Sequence, residues 1–453
     1  MSPTAREIAL AAPTFTGQLL TPADLRYDDR RRVHNGLIDK RPAVIASCHG
    51  VADLVDAVQL ARRLGLEVSV RGGGHNVAGR AAIDQGLMID LAPMKGIHVD
   101  PAARTVRAQG GVLWKELNRE TQLFGLATTG GVVGSTGIAG LTLGGGLGWL
   151  MPKHGLALDN LQAADIVLAD GRVVRASTIE NADLFWAIRG GGGNFGIAAS
   201  LEYALHQVGP TITGGVVVHP LPRALDVLRF FRDTCASLPD EAMLGAALQT
   251  APDGSGAKVA GIVGSHCGAL EDGEAVLRPL KAFGPPVMDM IGPVPYTTLN
   301  GMLDPAFPKG ALNYWKAQFL ADLSDDAILV LIAAFEECPS PMSLIIIEHL
   351  HGAASRVPLA ATACTLRATG FNVVIASQWS DPAETERNVR WARETFASLT
   401  PFLAPMRYLN YLEDDAPDPA AVAYGPNLRR LRGIKAKYDP MNFFRHNVNI
   451  LPA

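Results

Sequence analysis

The hydrophobic pattern changes three times along this 453-residue chain. Over residues 41–92 an apolar run of β type, "AVIASC", gives way to "VADLVDAVQLARRLGL", where Val51, Leu54, Val55, Val58 and Ala61 recur at helical spacing. "EVSVRGGG" then resumes a strand, completing a β–α–β unit. Its glycines follow the second strand, whereas the G-x-G-x-x-G fingerprint lies between first strand and helix, which disfavours a nicotinamide-type Rossmann domain. Residues 86–207 alternate short strands ("GLMIDL", "RTVRAQGG", "AADIVLADGRVVRAS", "IAASLEYALHQV") with glycine-dense connections. From about 208 the strands lengthen ("TITGGVVVHP", "AKVAGIVGSH", "SLIIIEHLHGAA", "FNVVIASQWS"), separated by amphipathic helices such as "RALDVLRFFRDTCASL" and "PAETERNVRWARETFASL". This predicts an α+β domain whose helices cover one sheet face and leave the other to roof a ligand. Beyond 404 a short helix, "NLRRLRGIKAKY", stops at Asp439-Pro440.

Charge narrows the function. Lys and Arg total 40 against 44 Asp and Glu, a net charge of −4, so the chain lacks the footprint of a nucleic-acid or anionic-membrane binder. The longest apolar stretch, "AILVLIAAF" (327–335), is far short of the roughly 18 residues of a membrane span. The first residues carry an acid and no continuous apolar segment, which predicts a cytoplasmic protein. Five cysteines without short spacings read as free thiols in a reducing compartment. The glycines are more informative. They cluster in "SVRGGGHN" (69–76), "TTGGVVGSTGIAGLTLGGGLGW" (128–149) and "IRGGGGNFGIA" (188–198), with apolar residues interleaved. Consecutive glycines are costly to order, so these segments are expected to be fixed backbone lying against something large and flat, with successive amides able to bind an anion.

Four segments in order carry a family resemblance. They are "YDDRRRVHNGLIDKRPAVIASC" (27–48), "SVRGGGHNVAG" (69–79), "ATTGGVVGSTGIAGLTLGGGLGWLMPKHGLALDNL" (127–161) continued by "DLFWAIRGGGGNFGI" (183–197), and "YGPNLRRLRGIKAKYDPMNFFRHNVNI" (424–450). Together they resemble flavoprotein oxidases of the berberine-bridge-enzyme type, in the vanillyl-alcohol-oxidase and p-cresol-methylhydroxylase (PCMH) class. The resemblance implies FAD and a two-domain PCMH-type fold: an FAD-binding domain over 1–207 built of two α+β subdomains, a substrate domain over 208–403, and a segment 404–453 returning to the FAD domain. It implies that Arg71, Gly72, Gly73, Gly74, Asn76 and Gly79 wrap the pyrophosphate, and that His75 bonds covalently to the flavin 8α-methyl. Doubly linked relatives carry a second, cysteinyl link where this chain has Val133, so a single link is expected, as in the mono-covalent branch. Thr129, Gly130, Gly131, Gly134, Ser135, Gly137 and Gly140 would line the flavin edge and pyrophosphate, and Gly196 and Ile197 would continue that wall. Thr136 falls beside the face that reacts with oxygen, which favours an oxidase. Asn427, Lys435, Tyr438, Asn447 and Asn449 would stitch the tail onto the FAD domain, the last two asparagines reaching the cofactor.

Oxidising a C–H bond at a flavin needs a base for the hydroxyl proton. By resemblance Tyr411 of "YLNY" is the first candidate, with Tyr408 beside it and Asn410 toward the substrate; Glu348 of "IIIEHLHG" is the second. On a strand Glu348 faces opposite to His349 and His351, so only one set can look at the flavin. The histidines are substrate-side candidates, and with no third ligand in view no metal is expected. Tyr314, Trp315 and Lys316 are candidate substrate-wall residues, while "EDDAPD" (413–418) and "RRR" (30–32) read as solvated loop and surface turn. The expected reaction passes a hydride from an alcohol, sugar hemiacetal or amine carbon to flavin N5, with dioxygen as acceptor and hydrogen peroxide as product. A dehydrogenase with another acceptor and a non-catalytic flavin-binding protein are the alternatives. A monomer or small homo-oligomer acting on a small molecule is expected.

Overall fold

The structure is a computed structural model that describes residues 3–413, 415 and 417–453. Three sheets organise it. The first holds β1 (Gln18–Leu20), β2 (Val44–Ser47), β3 (Val68–Arg71) and β4 (Leu87–Asp90) in the order β1-β2-β4-β3. Helix α1 (Val51–Leu64) connects β2 to β3, and both strands pair parallel to β4. The β–α–β unit is therefore present as the sequence predicts, with β4 inserted between its strands. Gly65 ends α1 in the left-handed region (φ 63°), where a Cβ would be strained. The apolar side of α1 (Leu54, Ala57, Val58, Ala61) is buried.

The second sheet, β5 (Ile97–Asp100), β6 (Thr105–Gln109), β7 (Leu161–Val167), β8 (Val173–Ser177) and β9 (Ile197–Ala204), is antiparallel in the order β5-β6-β9-β7-β8. The third comprises β10 (Thr211–Pro220), β11 (Ala242–Thr250), β12 (Lys258–His266), β13 (Met288–Asp289), β14 (Gly292–Pro295), β15 (Leu312–Leu320), β16 (Leu344–Leu350) and β17 (Gly370–Trp379). It is antiparallel throughout, in the order β13-β10-β12-β11-β16-β17-β15, with β14 also on β10. Helices α2 (Ala224–Cys235), α3 (Leu270–Ala282), α4 (Asp325–Glu336) and α5 (Thr385–Ser398) cover one face, where Leu244, Ala246, Leu248, Ile345 and Ile347 pack against Phe231, Leu331 and Trp391. The intervening residues, Gly245, Ala247, Ile346 and Glu348, point the other way and border a cavity, as period-two alternation requires. The fold is α+β, with one face of this sheet free of helices.

The tail returns to the glycine-rich part of the chain. Lys435, in helix α6 (Leu428–Tyr438), is fully buried; its Nζ donates to Asp439 Oδ2 (2.7 Å) and to the carbonyls of Asn194 (2.7 Å) and Phe444 (2.9 Å). Asn194 Nδ2 donates to the Val448 carbonyl (3.0 Å), and the Ile450 N–H donates to Asn194 Oδ1 (2.9 Å). Burial pushes the Lys435 ammonium down and Asp439 pulls it back up. Removing one member of such a pair strands the other in a dry site. Lys435→Ala should lower unfolding free energy by about 3–5 kcal/mol, measured by urea titration.

Candidate active site

A cavity of about 1380 Å³ opens between the helix-free face of the third sheet and the glycine loops. Its frame is a contact between two backbones. A Cβ on Gly73 would stand 2.3 Å from the Gly137 nitrogen, and one on Gly137 would stand 2.3 Å from the Gly73 nitrogen. The loops after β3 and before Ile138 thus cross main chain to main chain, an approach only glycine permits. Just beyond the crossing, His75 Nε2 and Ser135 Oγ lie 2.8 Å apart, and the His34 ring stacks on His75 with centroids 3.9 Å apart and an interplanar angle of 23°. Burial, reinforced by His34 and Lys309, pushes His75 down to about 3, so the ring is neutral at ordinary pH.

The cavity wall includes Gly72, Gly73, Gly74, His75 and Asn76 from the first loop, and Gly131, Thr136, Gly137 and Gly140 from the second. Gly196, Ile197 and Asn447 line the cavity as expected, Val133 lines it as well, and Ser135 stands behind His75. The lining tests the fit to FAD. At Gly140 and Gly193 a Cβ would meet nothing within 4 Å, so bare main chain faces open space. Asn447 Oδ1 and Trp149 Nε1 border the same cavity, buried and without a partner among the described residues. Bare backbone and the unclaimed Asn447 oxygen around so large a volume suit a large polar cofactor.

Six further expected cofactor contacts lie behind the wall instead. The Arg71 guanidinium grips Asp90 through Nε–Oδ1 (2.9 Å) and Nη2–Oδ2 (2.5 Å) and donates to the Arg30 and Arg32 carbonyls, so it anchors the loop rather than a phosphate. Those carbonyls, and the buried Arg31 paired with Asp28 and Asp39, make 30–32 an internal support rather than a plain surface turn. Gly79 is bare because Ile38 leaves 2.6 Å for a Cβ, and Gly130 because the Trp114 ring leaves 2.2 Å. The Gly134 N–H donates to Asp304 Oδ1 (2.6 Å). Thr129 is fully buried and Asn449 sits beyond the wall. Glycine clustering therefore reports loop packing as well as cofactor contact.

On the sheet side, register puts Glu348 opposite Asn372 on β17 and Gly245 on β11. Asn372 Nδ2 donates to Glu348 Oε2 (2.6 Å), and the Tyr411 hydroxyl lies 3.3 Å from Oε1. Burial pushes the Glu348 carboxyl up to about 7, partly offset by these two bonds. Burial, then the Glu348 charge, pushes the Tyr411 phenol well above its ordinary value, so Tyr411 serves as a proton donor toward Glu348. Trp315 meets Tyr411 edge to face with centroids 6.0 Å apart, and lines the cavity.

The remaining substrate-side expectations are corrected by strand alternation. Tyr314 and Lys316 flank Trp315 and turn to the helix side, where the Tyr314 hydroxyl donates to Asp415 Oδ2 (2.6 Å) and Lys316 Nζ pairs with Glu413 (2.9 Å) and Asp415 (2.6 Å). Glu413 is buried, so the acidic stretch is partly an ion-pair anchor rather than a solvated loop; Asp414 and Ala416 lie outside the described residues. His349 and His351 stack on each other away from the cavity, centroids 4.6 Å apart, with His349 against Phe371. Among the described residues no group of three His, Cys, Asp or Glu side chains could hold a metal. Tyr408 and Asn410, off the strands, do border the cavity as expected; the Tyr408 oxygen accepts from the Gly146 N–H (2.9 Å) and from Asn410 Nδ2 (2.8 Å). Asn410, in turn, donates to the Leu141 carbonyl (2.9 Å) and wedges against Gly144. Sequence reasoning did not single out His34, Trp149, Asn372 or Gly193. The GGGG run was the available signal for Gly193, while the other three show themselves only through tertiary contacts.

Comparison with known proteins bears on these segments directly. The family model described as FAD binding domain matches residues 42–177, which hold both crossing loops. That described as berberine and berberine like matches residues 407–451, which hold Tyr411 and Asn447. (R)-6-Hydroxynicotine oxidase of Paenarthrobacter nicotinovorans is 32% identical over 457 residues, 98% of each chain. An FAD-linked oxidoreductase of Dictyostelium discoideum is 30% identical over 416 residues, 91% of this chain and 89% of that one. The crystal structure of 6-hydroxy-D-nicotine oxidase from Arthrobacter nicotinovorans superposes with a TM-score of 0.88 at 29% identity, covering 97% of this chain and 99% of that one.

A raised carboxyl is also a stability statement. The folded state holds the Glu348 proton up to about pH 7, whereas an exposed glutamate releases it near 4.3. Stability is therefore full below about pH 4 and is lost as pH rises through 7. Glu348→Gln should match the wild type in stability at pH 4 and exceed it at pH 8 by about 3–4 kcal/mol, as read from paired thermal scans.

Proposed function

From the premise that this chain belongs to the berberine-bridge-enzyme-like family of FAD-linked oxidoreductases, we propose that it is an oxidase with FAD held through one covalent bond to His75. The observation that carries the reading is the Glu348 carboxyl, buried beside Asn372 on a largely apolar sheet face and opening on the cavity that the glycine loops close. FAD, when bound, supplies the hydride acceptor and passes the electron pair to dioxygen, giving hydrogen peroxide. Residues 1–207 with 404–453 would hold the cofactor, and 208–403 the substrate.

Each step on the protein side follows from a placed group. The substrate's hydroxyl or amine is positioned at Glu348 by Asn372, which fixes one carboxylate oxygen and leaves the other to Tyr411 and the substrate. Glu348 takes the proton as the hydride leaves. A carboxyl poised near 7 is matched to that task at neutral pH, where both protonation states are accessible. Glu348 is preferred over Tyr411 because the phenol, raised by burial and by the neighbouring carboxylate, keeps its own proton. A neutral His75 retains a ring lone pair, as attachment to the flavin requires, and its contacts with Ser135 and His34 hold the ring against the cavity. Val133 offers no sulfur for a second link.

Two measurements test the reading. Mixed anaerobically with a panel of alcohols, amines and sugars, the yellow protein should bleach with at least one compound and recover its colour, with peroxide, when air is admitted. Bleaching that air does not reverse would instead indicate a dehydrogenase, and no bleaching would indicate a binding protein. The rate of bleaching should rise with pH to a plateau, with a midpoint near 7, because only the ionised carboxylate accepts the proton. Glu348→Gln should abolish that midpoint and lower the rate by about 10²–10⁴; an unaltered pH profile in the variant would remove Glu348 from the role.

A further inference from the structure

The cavity face of the third sheet is built for more than a small headgroup. Next to Glu348 in register stands Gly245; two residues along the same face stands Ala247, and opposite Ala247 stands Gly261 of β12. Glycine within a strand is normally unfavourable and marks a place where something approaches closely. Gly261 has ordinary room for a Cβ, while at Gly245 a Cβ would fit only tightly. Neither has positive φ. A Cβ on Gly261 would meet its nearest atom at 3.5 Å, and one on Gly245 would meet only the Ile347 carbonyl, at 3.3 Å.

These small residues make the floor of a trough. Val216, Val218, Val263 and the adaptable side chains of Met243 and Met290 border the same cavity. From Gly245 to Gln249, the next polar side chain on that face of β11, is four residues, or about 14 Å at about 3.4 Å each. Between Glu348 and Gln249 the cavity-facing side chains of β10 to β12 carry no polar atom, so a saccharide lying there would bury hydroxyls without partners. A second observation points to an occupant. Trp149 packs with Met243 in one cluster and lines the cavity, its indole Nε1 buried and partnerless among the described residues, a donor left for a ligand.

We propose that the reducing substrate is an elongated, largely apolar alcohol or amine. Its reacting carbon lies at Glu348 and Tyr411, and its apolar body runs over Gly245, Ala247 and Gly261 toward Gln249. The assignment rests on the reading of Glu348 as the reacting end, and it adds the substrate class.

The test is a binding series on the flavin-loaded protein by titration calorimetry, with 4-alkylphenols from methyl to heptyl as probes and cellobiose as the polar counterpart. Each added methylene should tighten binding about two- to fourfold, and cellobiose should bind more weakly than the heptyl compound. Gly261→Leu should flatten the dependence. The milder Gly261→Ala should weaken the heptyl probe while raising the melting temperature, a pairing that a merely structural glycine would not produce. An affinity independent of chain length in the wild type, an unchanged slope in Gly261→Leu, or tighter binding of cellobiose would overturn the proposal. A chain-length slope without flavin bleaching by any alcohol or amine would support the trough and overturn the oxidase reading. Air-reversible bleaching with a flat series would do the reverse.

Discussion

Everything at the site depends on the crossing of Gly73 and Gly137. Two loops distant in sequence touch through main chain alone, because a Cβ on either would stand 2.3 Å from the other's nitrogen. The crossing sets the distance between the residues flanking it, and so brings His75 and Ser135 within hydrogen-bond reach. Arg71, paired with Asp90 at the end of β4, anchors the first loop to the sheet. Lys435 and Asn194 bind the tail against the GGGG segment, closing the wall from the far side. The arrangement is mostly hydrogen-bonded backbone, which leaves glycine amides and a neutral histidine facing the cavity.

The opposite wall follows a different rule. In the third sheet alternation alone decides which side chains see the cavity: odd positions of β16, Ile345 and Ile347, enter the helix-side core, while Ile346 and Glu348 face the cavity. A carboxyl placed there has few polar neighbours, and desolvation brings its proton affinity close to neutral pH. The same apolar surroundings that tune Glu348 also border the trough beside it. On the proposed reading, proton affinity and substrate selectivity share one cause.

Much of this was legible in the sequence, and the misses share a pattern. The β–α–β unit, the α+β sheet with one bare face, the RGGGH loop and the opposed facing of Glu348 and His349 follow from periodicity or from motif. What periodicity could not tell was which of two alternating sets faces inward. Tyr314, Trp315 and Lys316 were all expected at the substrate, yet of the three only Trp315 lines the cavity. Glycine runs were ambiguous for a physical reason: a missing Cβ can make room for a cofactor, as at Gly140, or for a protein neighbour, as Trp114 at Gly130. His34 on His75 and Asn372 on Glu348 are contacts between segments far apart in sequence, and local pattern carries no signal for them.

The central claim is that the crossing loops hold FAD through one covalent bond, to His75. Acid precipitation of the purified yellow protein tests it most directly, followed by mass spectrometry of the digested pellet. The account predicts that the colour stays with the pellet, that flavin mass appears only on the peptide containing His75, and that His75→Ala yields a colourless pellet. A colourless pellet from yellow wild-type protein, or flavin on any other peptide, would contradict it.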